Sequence, residues 1–340
     1  MVKNPLINLD IYSPVSIAPM MKWTDRHCRF FHRLFSKKVL LYTEMISANA
    51  VLMGDTSKLL SFNIEEHPLA VQLGGSDPKL LASATAVCSK LGYNEINLNL
   101  GCPSPRVKKG SFGACLMLDP KLVAKCLSAM KESTDLPISI KCRIGVDDMD
   151  EETDLNNFID EILSTGISKI IIHARKAYLN GLNPKENRNI PPLNYERVKK
   201  LKKRLSNKVH ITVNGGISNL EVINDLLSWS DSVMIGRFAY KCPYFISQLG
   251  NLNNGIKIPS RMDISEKMYE YASFMVKTHN VRLHSITRHM LGLYYGLPGA
   301  RIYRKMISES SIEYPFNSRI IIDAASLAEK VNIQKDTVAA

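Results

Sequence analysis

Eight short apolar runs, each separated from the next by a longer amphipathic stretch, set the tightest limit on how this chain folds. They are VSIAPM (15–20), VLLYTE (39–44), LAVQLGG (69–75), EINLNLG (95–101), ISIKCR (138–143), KIIIHAR (169–175), VHITVNGG (209–216) and DSVMIGR (231–237). Between them lie stretches such as DPKLLASATAVCSKLG (77–92), where Leu80, Leu81, Ala84, Val87, Cys88 and Leu91 sit near helical spacing and Gly92 supplies a stop. Strand and helix repeated eight times over about 240 residues predict an α/β fold, a (β/α)8 TIM barrel.

After Pro259 the strand signal thins and returns only at IIIDAA (320–325), while 264–279 and 282–296 read as helices. A barrel domain at 1–254 followed by a C-terminal helical domain at 255–340 is therefore expected. The basic run KKLKKRLSNK (199–208) carries Val198, Leu201 and Leu205 along one stripe, which makes it an ordinary solvated outer helix.

Lysine and arginine number 44 against 32 acids, and a net charge of +12 favours an anionic partner such as nucleic acid. The seven cysteines form no CxxC pair and no Cys/His cluster at zinc spacing, so neither a disulfide framework nor a metal is expected. The opening MVKNPLINLDIYSP has no sustained apolar core, and no run approaches the roughly 18 apolar residues of a membrane span. The expected location is the cytoplasm, with no membrane partner.

Each run ends in residues that a plain barrel core does not require: Pro19-Met20, Glu44, Gln72, Asn99 with Cys102, Lys141 with Arg143, His173 with Arg175, Asn214-Gly215-Gly216 and Gly236-Arg237. Each alone has an ordinary structural reading, as a strand cap, a satisfied core histidine or a snorkelling lysine. In a barrel all eight converge on the face that carries the chemistry. Gly101 and Pro103 hold a tight turn that leaves Cys102 at a strand tip, ahead of a loop bearing Arg106, Lys108 and Lys109.

The last two tips suggest the ligand. Asn214-Gly215-Gly216 and Gly236-Arg237 offer small residues for backbone approach to a phosphate, with Arg237 as a bidentate partner. A lysine rising from mid-barrel, Lys141, suits the negative charge that a reduced flavin carries near N1 and O2. Gln72 and His173 suit its ring heteroatoms, and Pro19-Met20-Met21 a ring edge. FMN is the expected cofactor.

Taken together, SIAPMM and DRHCRFF (within 16–31), NLNLGCPS (97–104), IKCRIG (140–145), HARKAYLNGLNPKENR (173–188), NGGI (214–217) and IGR (235–237) resemble the tRNA-dihydrouridine synthases, and the GLNPKENRNIPPL segment resembles their subfamily A. The likeness runs from about residue 13 to about 325. It implies an FMN barrel and a helical tRNA-binding domain. NADPH reduces the flavin, and the flavin reduces uridine, at positions 20 and 20a of the D-loop for this subfamily.

Carried over by position, Cys102 is the general acid that protonates uracil C5 after hydride reaches C6. Pro19, Met20, Met21, Gln72, Lys141, His173, Asn214, Gly215, Gly216, Gly236 and Arg237 are FMN contacts. Asn99, Lys185, Arg188, Arg301 and Arg304 contact the RNA. The loop 103–114 becomes a candidate for closing over the nucleotide. Between 261 and 305 eight Lys/Arg face three acids, and Arg301, Arg304 and Lys305 share one face if helical. A monomer is expected. Two other readings share parts of this pattern: a small-molecule pyrimidine oxidoreductase of the dihydroorotate dehydrogenase type, and an RNA-binding chaperone.

Overall fold

Eight parallel strands follow one another around a single sheet in the computed structural model, which describes residues 14–250 and 258–339. They are β1 (Val15–Ile17), β2 (Leu41–Ser47), β3 (Leu69–Gly74), β4 (Glu95–Leu100), β5 (Ile138–Arg143), β6 (Lys169–His173), β7 (His210–Asn214) and β8 (Ser232–Ile235). Each of β2 to β8 pairs with its sequence neighbour, and β1 pairs with β8. Leu40 closes the ring: it donates to the Val15 carbonyl at 3.3 Å and accepts from the Ile17 N–H at 2.9 Å. The expected TIM barrel is the observed fold.

Alternation along each strand divides the core in two. Residues such as Leu73, Leu98, Cys142 and Ile172 pack outward under the helices. Ala18, Leu40, Tyr42, Ala70, Ile171 and Met234 form a buried cluster of their own. The outer helices begin where sequence chemistry says they should. Asp77 caps Pro78–Lys90 through the Leu80 N–H at 2.9 Å, and Asp119 caps Pro120–Glu132 through Leu122 at 3.1 Å. The basic run lies on Tyr195–Leu205, with Val198, Leu201 and Leu205 buried as expected for an outer helix.

The described residues separate into two compact units, one comprising the chain to Met21 with Leu40–Gly236, the other Lys22–Val39 with Arg237 onward. The expected division at 254/255 lies outside the described residues. In the second unit, Asp25 caps the helix Arg26–Arg33 and also binds Arg288 (2.5 Å) and His289 (3.0 Å), while Trp23 stacks on Tyr240 at 4.3 Å. Among the described residues no helix is long and apolar enough to cross a membrane.

Four local expectations need correction. IIIDAA opens the helix Ile320–Ala339 and is not a strand: Ile321, Ala324, Ala325 and Ala328 are buried at helical spacing, a pattern six residues are too short to reveal. Glu44 is not a tip, because β2 runs on to Ser47 through an irregularity between Tyr42 and Met45. Segment 282–296 keeps only the helix Leu283–Thr287 and then turns, interrupted by Gly292 and Gly296. The loop after Cys102 holds the short helix Pro105–Lys109, started by Ser104, and a 3-10 turn from Gly113 to Leu118.

Candidate active site

At the C-terminal end of the barrel the turn Gly101-Cys102-Pro103 is gripped from both sides. Asn99, 8% exposed next to the end of β4, accepts from the backbone N–H of Gly101 at 3.2 Å and of Cys102 at 3.0 Å. Its amide nitrogen donates to Gln72 Oε1 on β3 at 2.7 Å. From β5, Arg143 Nε donates to the Gly101 carbonyl at 3.1 Å. The Cys102 carbonyl in turn accepts from Ala114 at 3.0 Å, which ties down the far end of the following segment. Cys102 stays half-buried at a fixed strand tip.

Lys141 projects from the same face of β5 as Arg143, two residues earlier, and is half-buried. Burial pulls its ammonium down to about 8, and the neighbouring Arg143 adds to the effect. Among the described residues no carboxylate pairs with it. A half-buried cation of this kind is a ready partner for an anionic ligand edge, which fits the charge of a reduced flavin.

His173 ends β6 in register with Arg143 on one side and Asn214 on the other. Asn214 donates its amide to the Met234 carbonyl at 2.7 Å. Gly215 follows at φ +115°, where an added Cβ would lie 3.3 Å from His173 Nε2 and 3.1 Å from Leu193; Gly216 follows at +69°. Only glycine lets the backbone pass here, and Tyr195 donates to the Gly215 carbonyl. Gly236 follows β8, where an added Cβ would lie in ordinary contact with the Ala18 methyl at 3.9 Å. Pro19, Met20 and Met21 follow β1, with Met21 largely exposed.

The loop after β6 is built around Asn187, which is fully buried. It accepts from the Tyr178 N–H at 2.7 Å and donates to the Tyr178 and Leu182 carbonyls. Lys185 and Arg188, on either side of it, are exposed. Arg143 Nη1 reaches the Asn187 carbonyl at 2.9 Å and the Lys176 carbonyl at 3.0 Å, so one guanidinium holds both this loop and the Cys102 turn. Lys108 Nζ adds a surface tie to Asn180 at 2.6 Å. Sequence reasoning placed Arg143 at a tip without a role and passed over Asn187. The signal for Arg143 was its two-residue step from Lys141 on one strand face.

The structure brings Gln72, Asn99, Cys102, Lys141, His173, Asn214, Gly215 and Gly216 together at the strand ends of the first unit. Arg237, directly after Gly236, opens the helix Arg237–Lys241 and belongs to the second unit. Arg301, Arg304 and Lys305 lie exposed along Ala300–Glu313, whose opposite face buries Tyr303 and Ile307. Among the described residues no group of His, Cys, Asp or Glu could hold a metal ion.

The family model for dihydrouridine synthases matches residues 16–325. The chain belongs to this family. Similar proteins include the tRNA-dihydrouridine(20/20a) synthase of Xanthomonas campestris pv. campestris, 47% identical over 297 residues that span 87% of this chain and 88% of the relative. Another, from Vibrio parahaemolyticus, is 46% identical over 323 residues, 94% of this chain and 98% of the relative. A solved structure of a 2-naphthoyl-CoA reductase complex superposes with a TM-score of 0.54 at 9% identity, covering 69% of this chain and 49% of that one. That likeness speaks to the fold alone.

Proposed function

We propose that this family member is a flavin-dependent reductase that converts uridine to 5,6-dihydrouridine in tRNA, at positions 20 and 20a, working as a monomer in the cytoplasm. The observation that carries the reading is the gathering of Cys102, Asn99, Gln72 and Lys141 at the C-terminal face of one barrel. When bound, FMN supplies the hydride taken up at uracil C6, with NADPH as the reductant.

The protein's own residues do the rest. Lys141 meets the anionic edge of the flavin ring; Gln72 and His173 orient it; Gly215, Gly216, Gly236 and Arg237 take its phosphate; Pro19, Met20 and Met21 cover an edge. Cys102 gives the proton that C5 requires, from a turn whose position Asn99 and Arg143 fix. Lys185 and Arg188 beside the site, and Arg301 and Arg304 on the helical unit, contact the RNA together with Asn99. Their binding energy offsets the few kcal/mol needed to lift a uridine from its stack.

The test is to incubate FMN-loaded protein and NADPH with unmodified tRNA and map the product by mass spectrometry. A gain of two hydrogens at the D-loop uridines supports the reading. Reduction of free pyrimidines but not of tRNA would point to a small-molecule oxidoreductase, and tight tRNA binding without reduction to a chaperone.

A further inference from the structure

An unbroken run of side-chain hydrogen bonds crosses the interior of the barrel from its N-terminal end to the Cys102 turn. Glu95, the first residue of β4, accepts on Oε1 from Tyr42 at 2.7 Å and from Ser139 at 2.5 Å, and on Oε2 from Lys169 at 2.6 Å. Ser139 Oγ accepts from Asn97 Nδ2 at 2.7 Å. Asn97 Oδ1 accepts from Gln72 Nε2 at 2.8 Å. Gln72 Oε1 accepts from Asn99 Nδ2 at 2.7 Å, and Asn99 Oδ1 from the N–H groups of Gly101 and Cys102. All five side chains are buried, none more than 8% exposed.

The sense of this run is imposed from both ends. A carboxylate only accepts, so Ser139 must donate to Glu95, and its lone pairs then require the nitrogen of Asn97. Backbone N–H groups only donate, so Asn99 must turn its oxygen to the Cys102 turn and its nitrogen to Gln72. The two requirements meet at Gln72 and agree. A flip of any one amide would set donor against donor or acceptor against acceptor between buried side chains.

We propose that this one-way relay sets the working orientation of the site, with Glu95 as a positioning residue at the opposite end of the barrel. Each amide nitrogen has two hydrogens and the relay uses one. Gln72 and Asn99 are thereby left with one N–H each for a ligand acceptor, while the Cys102 turn keeps its place. The choice of ligand rests on the proposed function, in which Gln72 meets the flavin and Asn99 the substrate.

Ser139→Ala removes the middle link without touching the site, Ser139→Thr restores the hydroxyl, and Ser139→Cys keeps the volume with a poor acceptor if S139A does not fold. Ile171→Val, inside the same barrel but outside the relay, controls for packing. FMN affinity and the visible flavin spectrum are read by titration, and exchange of the Gln72 and Asn99 side-chain amide protons by NMR in the apoprotein. The relay predicts FMN binding about tenfold weaker and amide exchange about tenfold faster in S139A, recovery in S139T and wild-type values in I171V. Unchanged amide exchange in S139A, or equal losses in S139A and I171V at equal loss of melting temperature, would overturn it. A wild-type protein that takes no FMN would defeat the flavin reading instead, and the apoprotein exchange would still decide the relay.

Discussion

The Arg143 guanidinium donates to the carbonyl of Gly101 at 3.1 Å, one residue before the thiol of Cys102. The same group holds the carbonyls of Lys176 and Asn187, so the Cys102 turn and the loop bearing Lys185 and Arg188 share one anchor, 5% exposed. Arg143→Lys loses the fork that makes these contacts together. It should lower kcat about tenfold and raise KM for tRNA, because both the Cys102 turn and the loop after β6 loosen. Arg143→Met leaves buried carbonyls unpaired and should cost about 3 kcal/mol in urea unfolding.

Cys102→Ala should keep FMN and tRNA affinity while slowing single-turnover reduction of uridine by about 100-fold or more, the usual worth of a positioned acid. Rapid-quench measurement of dihydrouridine checks this. Equal rates in variant and wild type would remove Cys102 from the acid role.

Lys141 carries a pH signature. Burial, then Arg143, brings its folded value from 10.5 to about 8, so the burden of a buried charge on the apoprotein is complete below pH 8 and disappears as pH rises toward 10.5. The Lys141→Met apoprotein should therefore melt above wild type at pH 7, with the gap closing over that window. Affinity for reduced FMN should move the other way: held by the charged amine at pH 7, it should fall as pH rises past 8. Lys141→Met should be weak and flat throughout. Calorimetry and anaerobic titration measure the two effects.

Asp25 holds the second unit together. Burial alone would raise its carboxyl, yet the hydrogen bond and charge of His289 and the N–H of Cys28 keep it well below the ordinary 3.8. This stabilisation is present above pH 3.8 and is lost as pH falls toward the folded value. Asp25→Ala should lose about 2 to 3 kcal/mol at pH 7, and Asp25→Asn, which keeps the helix cap, less. Thermal melts at pH 7 and pH 3 should show the wild-type advantage shrinking in acid.

Arg301 and Arg304 stand on one exposed face. If each neutralises a tRNA phosphate, the double alanine variant should lower the slope of log K against log salt by about 2. Filter binding across a salt series reads this directly.

Much of this architecture could be read from period alone. Each of the eight apolar runs marks a strand, with only β2 running on past its run to Ser47, and Val198, Leu201 and Leu205 named the buried stripe of an outer helix. Tertiary pairing decided the rest. The run at 320–325 has the composition of a strand but packs along the helical spacing of Ile321, Ala324, Ala325 and Ala328. The helix Arg26–Arg33 belongs with the C-terminal helices through long-range contacts such as Asp25 meeting Arg288, 263 residues away, which no local pattern reveals. Arg143 was visible as a strand tip, but its three carbonyl partners come from two segments, after β4 and after β6, that no local pattern connects.

The most direct test of tRNA reduction by this protein is anaerobic. Protein-bound FMN is reduced with NADPH, excess reductant is removed, unmodified tRNA is added, and flavin absorbance is followed. Reoxidation should require tRNA and match the dihydrouridine formed. A flavin that stays reduced while tRNA is demonstrably bound would contradict this.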